Sequence, residues 1–289
     1  MTGAKHRTLL AMGAAVLTVL ASACGGGGGG AAEAVTDTGP QHVHGLGVNP
    51  ADGSLYLATH TGLFRMRPGA DTAGRVGHAV QDTMGFAVAG PDRFLGSGHP
   101  DPRDDLPPLL GLIESSDAGR SWETVSLQGE ADFHALRVVG SRVVGYDASR
   151  GRLMVSKDSG RTWAQSRPPA GVIDLAVNPG NPVRIVATTG QGLITTADEG
   201  ATWRRRGGNA EILAWPAPDA LYAFADDGDV SVSRDGGGSW ERSGGLGADP
   251  AAATATARDN LIVALHDGRV VSSGDGGRTW SDGAWSGRD

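Results

Sequence analysis

The sequence contains few cysteines and few lysines, and each shortage excludes a class of chemistry. Cys24 is the only cysteine among 289 residues, so no disulfide can form within the chain. Lys5 and Lys157 are the only lysines. Lys5 lies in the N-terminal leader and Lys157 lies in a repeated turn, which leaves no lysine for a phosphate-binding loop or a Schiff base.

Positive charge is also in short supply. The chain has 25 basic and 32 acidic side chains, a formal net charge of −7. Loss of residues 1–23 would remove Lys5 and Arg7 but no acidic residue, leaving 23 basic against 32 acidic side chains and a net charge of −9. This balance argues against nucleic acid or an anionic lipid surface as a partner.

The only long hydrophobic run is part of an N-terminal segment that has the features of a secretion signal. Residues 5–7 are basic, and residues 9–20 form an apolar stretch too short to span a bilayer. The small residues 21–23 then provide a cleavage site directly before Cys24. We therefore expect residues 1–23 to be removed on export.

The residues after the cleavage site indicate how the protein is held outside the cytoplasm. Cys24 is followed by six glycines at 25–30. This arrangement resembles the signal of bacterial lipoproteins, which implies that Cys24 is lipidated and anchors the chain to the cell membrane. Ordinary secretion with a free thiol is the alternative. Residues 24–40 have the composition of a flexible tether, and residues 41–289 form the predicted folded domain.

One octet, Ser/Thr-x-Asp-x-Gly-x-Ser/Thr-Trp, occurs five times in the folded domain. Its aspartates are 41, 40, 37 and 40 residues apart, and a period near 40 residues made of short strands indicates a β-propeller with one blade per repeat. Each aspartate is expected to accept hydrogen bonds in a hairpin turn, and each tryptophan to pack between blades. These residues are Asp117, Asp158, Asp198, Asp235, Asp275, Trp122, Trp163, Trp203, Trp240 and Trp280.

The octet resembles the Asp-box, or BNR repeat, of sialidases and of many non-enzymatic propellers. The mature chain as a whole is similar to the Asp-box, glycosyl-hydrolase-like lipoproteins of bacteria. The resemblance implies that the boxes form turns at the blade periphery, between the third and fourth strands and away from the ligand face.

The repeat predicts an all-β fold: a single β-propeller of six four-stranded blades, here numbered 1 to 6. Blade 1 lacks an octet, and residues 68–71 form the equivalent turn. A seventh blade is less favoured because the sequence contains no further repeat. The strands are rich in Val, Ile and Leu, and no segment shows sustained helical periodicity. We expect a monomer.

Alignment of the blades predicts a polar face over blades 6, 1, 2 and 3. The innermost strands of blades 1 to 3 begin near His42 and His44, near Asp82 and Met84, and near Asp132 and His134. Loops on the same face carry additional polar residues. Six of the seven histidines after the leader converge there: His42, His44, His60, His99, His134 and His266.

Imidazoles beside a thioether or a carboxylate are suited to a transition metal. His42, His44 and His134 together with Met84 favour copper, and replacement of Met84 by Asp82 or Asp132 favours zinc. The alternative is a pocket for a small polar ligand or a glycan. Its predicted lining is His60, His99, Arg103, Tyr146, Glu211 and His266.

Glycoside hydrolysis needs two placed carboxylates, and it is an alternative of another class. The candidates are Asp82, Asp132, Asp101 and Asp105, the last two in an acidic, proline-rich insertion expected to arch over the face. The family resemblance implies three arginines and a Tyr–Glu pair for a sialidase. Residues 64–68 match the sialidase opening only loosely, and blades 4 to 6 lack channel-facing arginines, which argues against that activity. A protein-interaction scaffold is the third hypothesis.

Overall fold

Every regular element in the described part of the protein is a β-strand. The computed structural model describes residues 39–282. Within that range no helix is long and apolar enough to cross a membrane. The predicted leader, the lipidation site Cys24 and nearly all of the tether lie outside the described residues, and those expectations stay predictions.

The strands form six four-stranded antiparallel sheets, each built in chain order from one continuous segment. Blade 1 contains β1 (Val43–Val48), β2 (Leu55–Thr59), β3 (Gly62–Met66) and β4 (Gly74–Arg75). Blade 2 contains β5 (Asp82–Gly90), β6 (Arg93–His99), β7 (Leu112–Ser115) and β8 (Glu123–Ser126). Blade 3 contains β9 (Phe133–Val139), β10 (Arg142–Asp147), β11 (Arg152–Ser156) and β12 (Ala164–Ser166). Blade 4 contains β13 (Val172–Val177), β14 (Ile185–Thr189), β15 (Gly192–Thr196) and β16 (Arg204–Arg205). Blade 5 contains β17 (Ile212–Ala217), β18 (Ala220–Phe224), β19 (Asp229–Ser233) and β20 (Glu241–Gly245). Blade 6 contains β21 (Pro250–Ala257), β22 (Asn260–Leu265), β23 (Val270–Ser273) and β24 (Ser281–Asp282).

The six sheets are arranged as a closed ring, which confirms the predicted six-bladed propeller. The first strand of each blade packs against the first strand of the next, and β21 packs against β1. No sheet borrows a strand from a distant part of the chain in the described range. The ring therefore closes through side-chain packing.

The hydrophobic core consists of six clusters, one between each pair of neighbouring blades. Blades 6 and 1 meet through a cluster that includes Leu46, Phe64 and Ile262. The other five clusters each include the tryptophan of one octet, packed between its own blade and the preceding one. In blade 1, which has no octet, the Arg75 guanidinium lies 4.6 Å above the Phe64 ring.

The five octets adopt one turn, held by the same four hydrogen bonds. In the copy at 156–163, the Ser156 hydroxyl donates to Asp158 Oδ1 at 2.7 Å and accepts from the Gly160 amide at 2.8 Å. The Thr162 amide and hydroxyl donate to the two Asp158 oxygens at 2.8 and 2.7 Å. Gly160 has φ +86°, a conformation that glycine adopts without strain. Each octet joins the third and fourth strands of its blade, as predicted.

Polar side chains near the axis join three successive blades. Asp174 of β13 accepts a hydrogen bond from Arg137 of β9 at 2.6 Å and one from the Leu213 amide of β17 at 2.8 Å. Asp174 is only 6% exposed. Its carboxylate therefore connects blades 3, 4 and 5 where their inner strands converge.

We expect the octets to make the fold sensitive to acid. Hydrogen bonds from Thr162 and Ser156 lower the pKa of Asp158 to about 2, and similar bonds lower the pKa values of Asp198 and Asp275 to about 2. An unfolded aspartate has a pKa near 3.9, so the stabilisation is present above about pH 4 and is lost as pH falls towards 2. A triple variant with Asp158→Asn, Asp198→Asn and Asp275→Asn lacks these carboxylates. Its Tm, measured by thermal unfolding, should fall less between about pH 4 and pH 2 than the Tm of the wild type does.

The exposed Asp71 provides the matched control for that experiment. Asp71→Asn should keep the acid dependence of the wild type. An unchanged acid dependence in the triple variant would contradict the account.

Loss of the Asp174 carboxylate should destabilise the ring. Asp174→Ala leaves the Leu213 amide without its acceptor and Arg137 without its counterion. We expect the free energy of unfolding to fall by about 3 kcal/mol in urea titrations. Asp71→Ala should change it by less than about 0.5 kcal/mol, as is usual for surface substitutions. Equal effects of the two substitutions would show that Asp174 does not link the blades.

Candidate functional site

A β-bulge at the start of the innermost strand sets the polar face in blades 1 to 3. His44, Met84 and His134 are each an extra residue in the pairing of the first two strands of their blade. A bulge bends the strand locally and changes the direction of the extra side chain. All three side chains line the cavity along the propeller axis, which has a volume of about 1010 Å³.

The first polar group, which we name the blade 1–2 cluster, consists of His44, His60 and Asp82. His60 Nδ1 lies 2.9 Å from Asp82 Oδ2, and His44 Nε2 lies 3.6 Å from Asp82 Oδ1. One potential metal-binding atom from each residue lies within 4.8 Å of the other two. Two residues come from blade 1 and the third from blade 2, so the cluster spans the interface between them.

His44 and Asp82 are the two more buried members of this cluster, and each has one polar atom that has lost water without gaining a hydrogen-bond partner. His44 Nε2 and Asp82 Oδ1 are both buried and make no hydrogen bond. Burial lowers the pKa of His44, although the Asp82 charge opposes that effect. The imidazole is therefore neutral at pH 7, the form that binds a metal ion.

The second group, the blade 2–3 cluster, consists of His99, Asp132 and His134. His134 Nε2 donates a hydrogen bond to Asp132 Oδ2 at 2.8 Å, and this bond raises the pKa of His134. His99 Nε2 lies 3.7 Å from the same carboxylate oxygen. Asp132 is 6% exposed, and its Oδ1 is buried without a hydrogen bond.

Three other predicted residues lie near the two clusters or across the cavity from them. The His42 ring centroid is 6.2 Å from that of His60, and His42 has a left-handed backbone with φ +51°. Glu211 and His266 line the same cavity from blades 5 and 6. Burial raises the pKa of Glu211, as do the charges of Asp249 and Asp226.

The predicted residues of the insertion and of blade 3 have structural contacts. Asp101 is 3% exposed, pairs with Arg103, and accepts a hydrogen bond from the Val80 amide at 2.9 Å. Arg103 also donates to the His78 carbonyl, so this pair fastens the insertion to the segment that joins blade 1 to blade 2. Asp105 is exposed, and Tyr146 is buried in the core cluster between blades 3 and 4.

Comparisons with known proteins identify a fold. No protein-family model and no curated protein matches the chain. The GH74 xyloglucanase from Xanthomonas campestris is similar in structure, with a TM-score of 0.56 and 18% identity, over 84% of this chain and 45% of that one. An ancestral GH74 enzyme has a TM-score of 0.56 and 15% identity, over 81% of this chain and 36% of that one. YCF48 from Cyanidioschyzon merolae has a TM-score of 0.51 and 13% identity, over 87% of each chain.

These similarities have a limited meaning. The chain spans less than half the length of the GH74 proteins that it matches. At such low identity the likeness shows a shared propeller architecture, and it carries no information about substrate.

Sequence reasoning grouped the site residues differently from the structure. The prediction paired side chains two positions apart on one strand, as in His42 and His44, but the bulge breaks that alternation. The structure instead joins His44 to His60 and to Asp82 of the next blade. A small residue follows each bulge, and at Gly85 an added Cβ would lie 2.3 Å from the Phe133 carbonyl oxygen. The small residues Gly45, Gly85 and Ala135 were the available sequence signal for the bulges.

Proposed function

We propose that this protein is an extracytoplasmic propeller that binds a transition metal ion, zinc in particular, at the blade 1–2 cluster. The observation that carries the proposal is the pair of buried, unpartnered atoms His44 Nε2 and Asp82 Oδ1, which face each other at 3.6 Å beside His60. In the tautomer with its proton on Nδ1, the neutral His44 imidazole presents a lone pair on Nε2 towards the Asp82 oxygen, and a cation between the two atoms would satisfy both.

The donor set and its spacing fit zinc. Zinc bonds of about 2.0–2.1 Å in tetrahedral geometry place neighbouring donor atoms about 3.3 Å apart. The contacts of His60 and His44 with the Asp82 carboxylate, at 2.9 and 3.6 Å, bracket this spacing, and one donor atom from each of the three residues lies within 4.8 Å of the other two. Two imidazoles and one carboxylate are also the ligand set of zinc sites that keep a fourth position for water or a ligand. A bound ion would supply a Lewis-acid position beside the cavity that His44 lines.

The sequence supplies the proposed location. We propose that Cys24 is lipidated and that residues 24–40 hold the propeller near the outer surface of the membrane. We also propose that the five octets are Asp-boxes. The shared four-bond turn supports this assignment, and its position at the blade edge separates it from the metal-binding face.

Removal of either imidazole should abolish tight zinc binding. Isothermal titration calorimetry of the wild type should detect a zinc site. Zinc should also raise the Tm of the wild type, because a ligand that binds only the folded state stabilises that state. His44→Ala and His60→Ala should weaken binding by at least the roughly 10–100-fold that loss of an outer-shell partner costs. His78, an exposed histidine outside both clusters, provides the control variant His78→Ala, which should bind like the wild type.

Two results would overturn the zinc proposal. One is a wild-type protein that takes up no zinc and whose Tm does not respond to zinc. The other is equal zinc affinity in His44→Ala, His60→Ala and His78→Ala.

A glycoside hydrolase is the alternative function of another class. Asp82 and Asp132 are each engaged by imidazoles, and Asp101 is paired with Arg103, so these carboxylates are not arranged as a free acid and base. We therefore expect no release of reducing sugar from xyloglucan or from chromogenic glycosides. Hydrolysis that is lost in Asp132→Asn, with zinc content unchanged, would favour the enzyme. A scaffold would tolerate all of these substitutions and lose its partner through surface changes elsewhere.

A further inference from the structure

We infer that the protein carries a second metal site one blade further round the ring, with a softer ligand set suited to Cu(I). Its ligands are Met84, His99 and Asp132. The site uses none of the three zinc ligands proposed above, and it does not depend on that proposal.

The first argument is the repeat of the fold. His44 and Met84 are the bulged residues of β1 and β5. Thr59 pairs with Val43 and Gly98 with Thr83, so the next residues, His60 and His99, occupy equivalent places at the ends of β2 and β6.

The carboxylates complete the equivalence. Asp82 and Asp132 each stand two residues before the bulged position of their own blade. Rotation by one blade therefore converts His44, His60 and Asp82 into Met84, His99 and Asp132. The second set has the composition of the first, with a thioether in place of one imidazole.

The second argument is the orientation of His99. Its Nδ1 lies 2.9 Å from the Pro108 carbonyl oxygen, which can only accept, so Nδ1 carries the proton. In the neutral ring the lone pair is then on Nε2, which faces Asp132 Oδ2 at 3.7 Å. Metal-bound histidines commonly donate their other N–H to a backbone carbonyl in this way, which fixes the ring and its tautomer.

The third argument is the state of Asp132. The side chain is more than nine-tenths buried, and its Oδ1 has no hydrogen-bond partner. His134 donates to the other oxygen and holds the carboxylate in place. His99 Nε2 lies 3.7 Å from Asp132 Oδ2, and the equivalent blade 1–2 contact joins His60 Nδ1 to Asp82 Oδ2 at 2.9 Å. The two distances bracket the spacing of two donors around one cation.

The thioether decides the metal. Zinc sites use Cys, His and carboxylate ligands, whereas a thioether selects copper, Cu(I) above all, so Met84 distinguishes this set from the zinc set. Met84 lines the axial cavity, so an ion can reach the site from solvent. The two proposed sites should therefore bind different metals, zinc at His44, His60 and Asp82 and Cu(I) at Met84, His99 and Asp132.

The test measures Cu(I) binding to the full chain after saturation with zinc. Cu(I) is supplied with ascorbate under anaerobic conditions, and a chromogenic chelator competes for it. We expect the zinc-loaded wild type to bind one Cu(I) per chain. Met84→Leu keeps the side-chain volume and removes the sulfur, so it should weaken Cu(I) binding at least tenfold and leave zinc binding unchanged. X-ray absorption at the copper edge should show sulfur scattering that Met84→Leu lacks.

Met154→Leu makes the same substitution in the core between blades 2 and 3 and serves as the matched control. It should bind Cu(I) like the wild type. His44→Ala tests independence, because it should lose zinc and keep Cu(I). Zinc-loaded protein that binds no Cu(I), or equal Cu(I) affinity in Met84→Leu and Met154→Leu, would overturn the second site without affecting the zinc proposal.

Discussion

Side-chain packing between neighbouring blades is the interaction on which the structure depends. Each sheet is one continuous segment, so no shared strand ties the blades together in the described range. Six interblade clusters take that role, and the octet tryptophans contribute to five of them. Blade 1 completes the sixth with Phe64 beneath Arg75. The octet turns fix the tryptophans, so a surface motif supports the core beneath it.

The polar face depends on the same interfaces. An imidazole of blade 1 meets a carboxylate of blade 2, and an imidazole of blade 2 meets a carboxylate of blade 3. The blade-to-blade distance therefore determines the donor-to-donor distance. A cation at either position would bridge two blades and oppose their separation. Burial of His44 and Asp132 makes their unpaired atoms costly, because such groups lose hydration without compensation.

The repeat spacing was sufficient to predict the six blades, the position of the octets and the face on which the histidines gather. It was not sufficient to predict which side chains meet. The bulges at His44 and His134 turn these side chains away from the directions that regular strand alternation predicts. Whether Asp101 faces the cavity or pairs with Arg103 depends on the path of the insertion, which sequence patterns do not specify. Contacts between blades also depend on the ring radius, a property of the whole assembly.

The continuity of each blade has a consequence for the order of the chain. Blades 6 and 1 adhere through an apolar cluster that includes Leu46 and Ile262, and the other seams are also apolar clusters, although each of those contains an octet tryptophan. No seam is distinguished by an exchanged strand in the described range. A circularly permuted gene that opened the wheel between blades 3 and 4, and joined blade 6 to blade 1 by a linker, would therefore encode the same toroid with its histidine-rich sector intact.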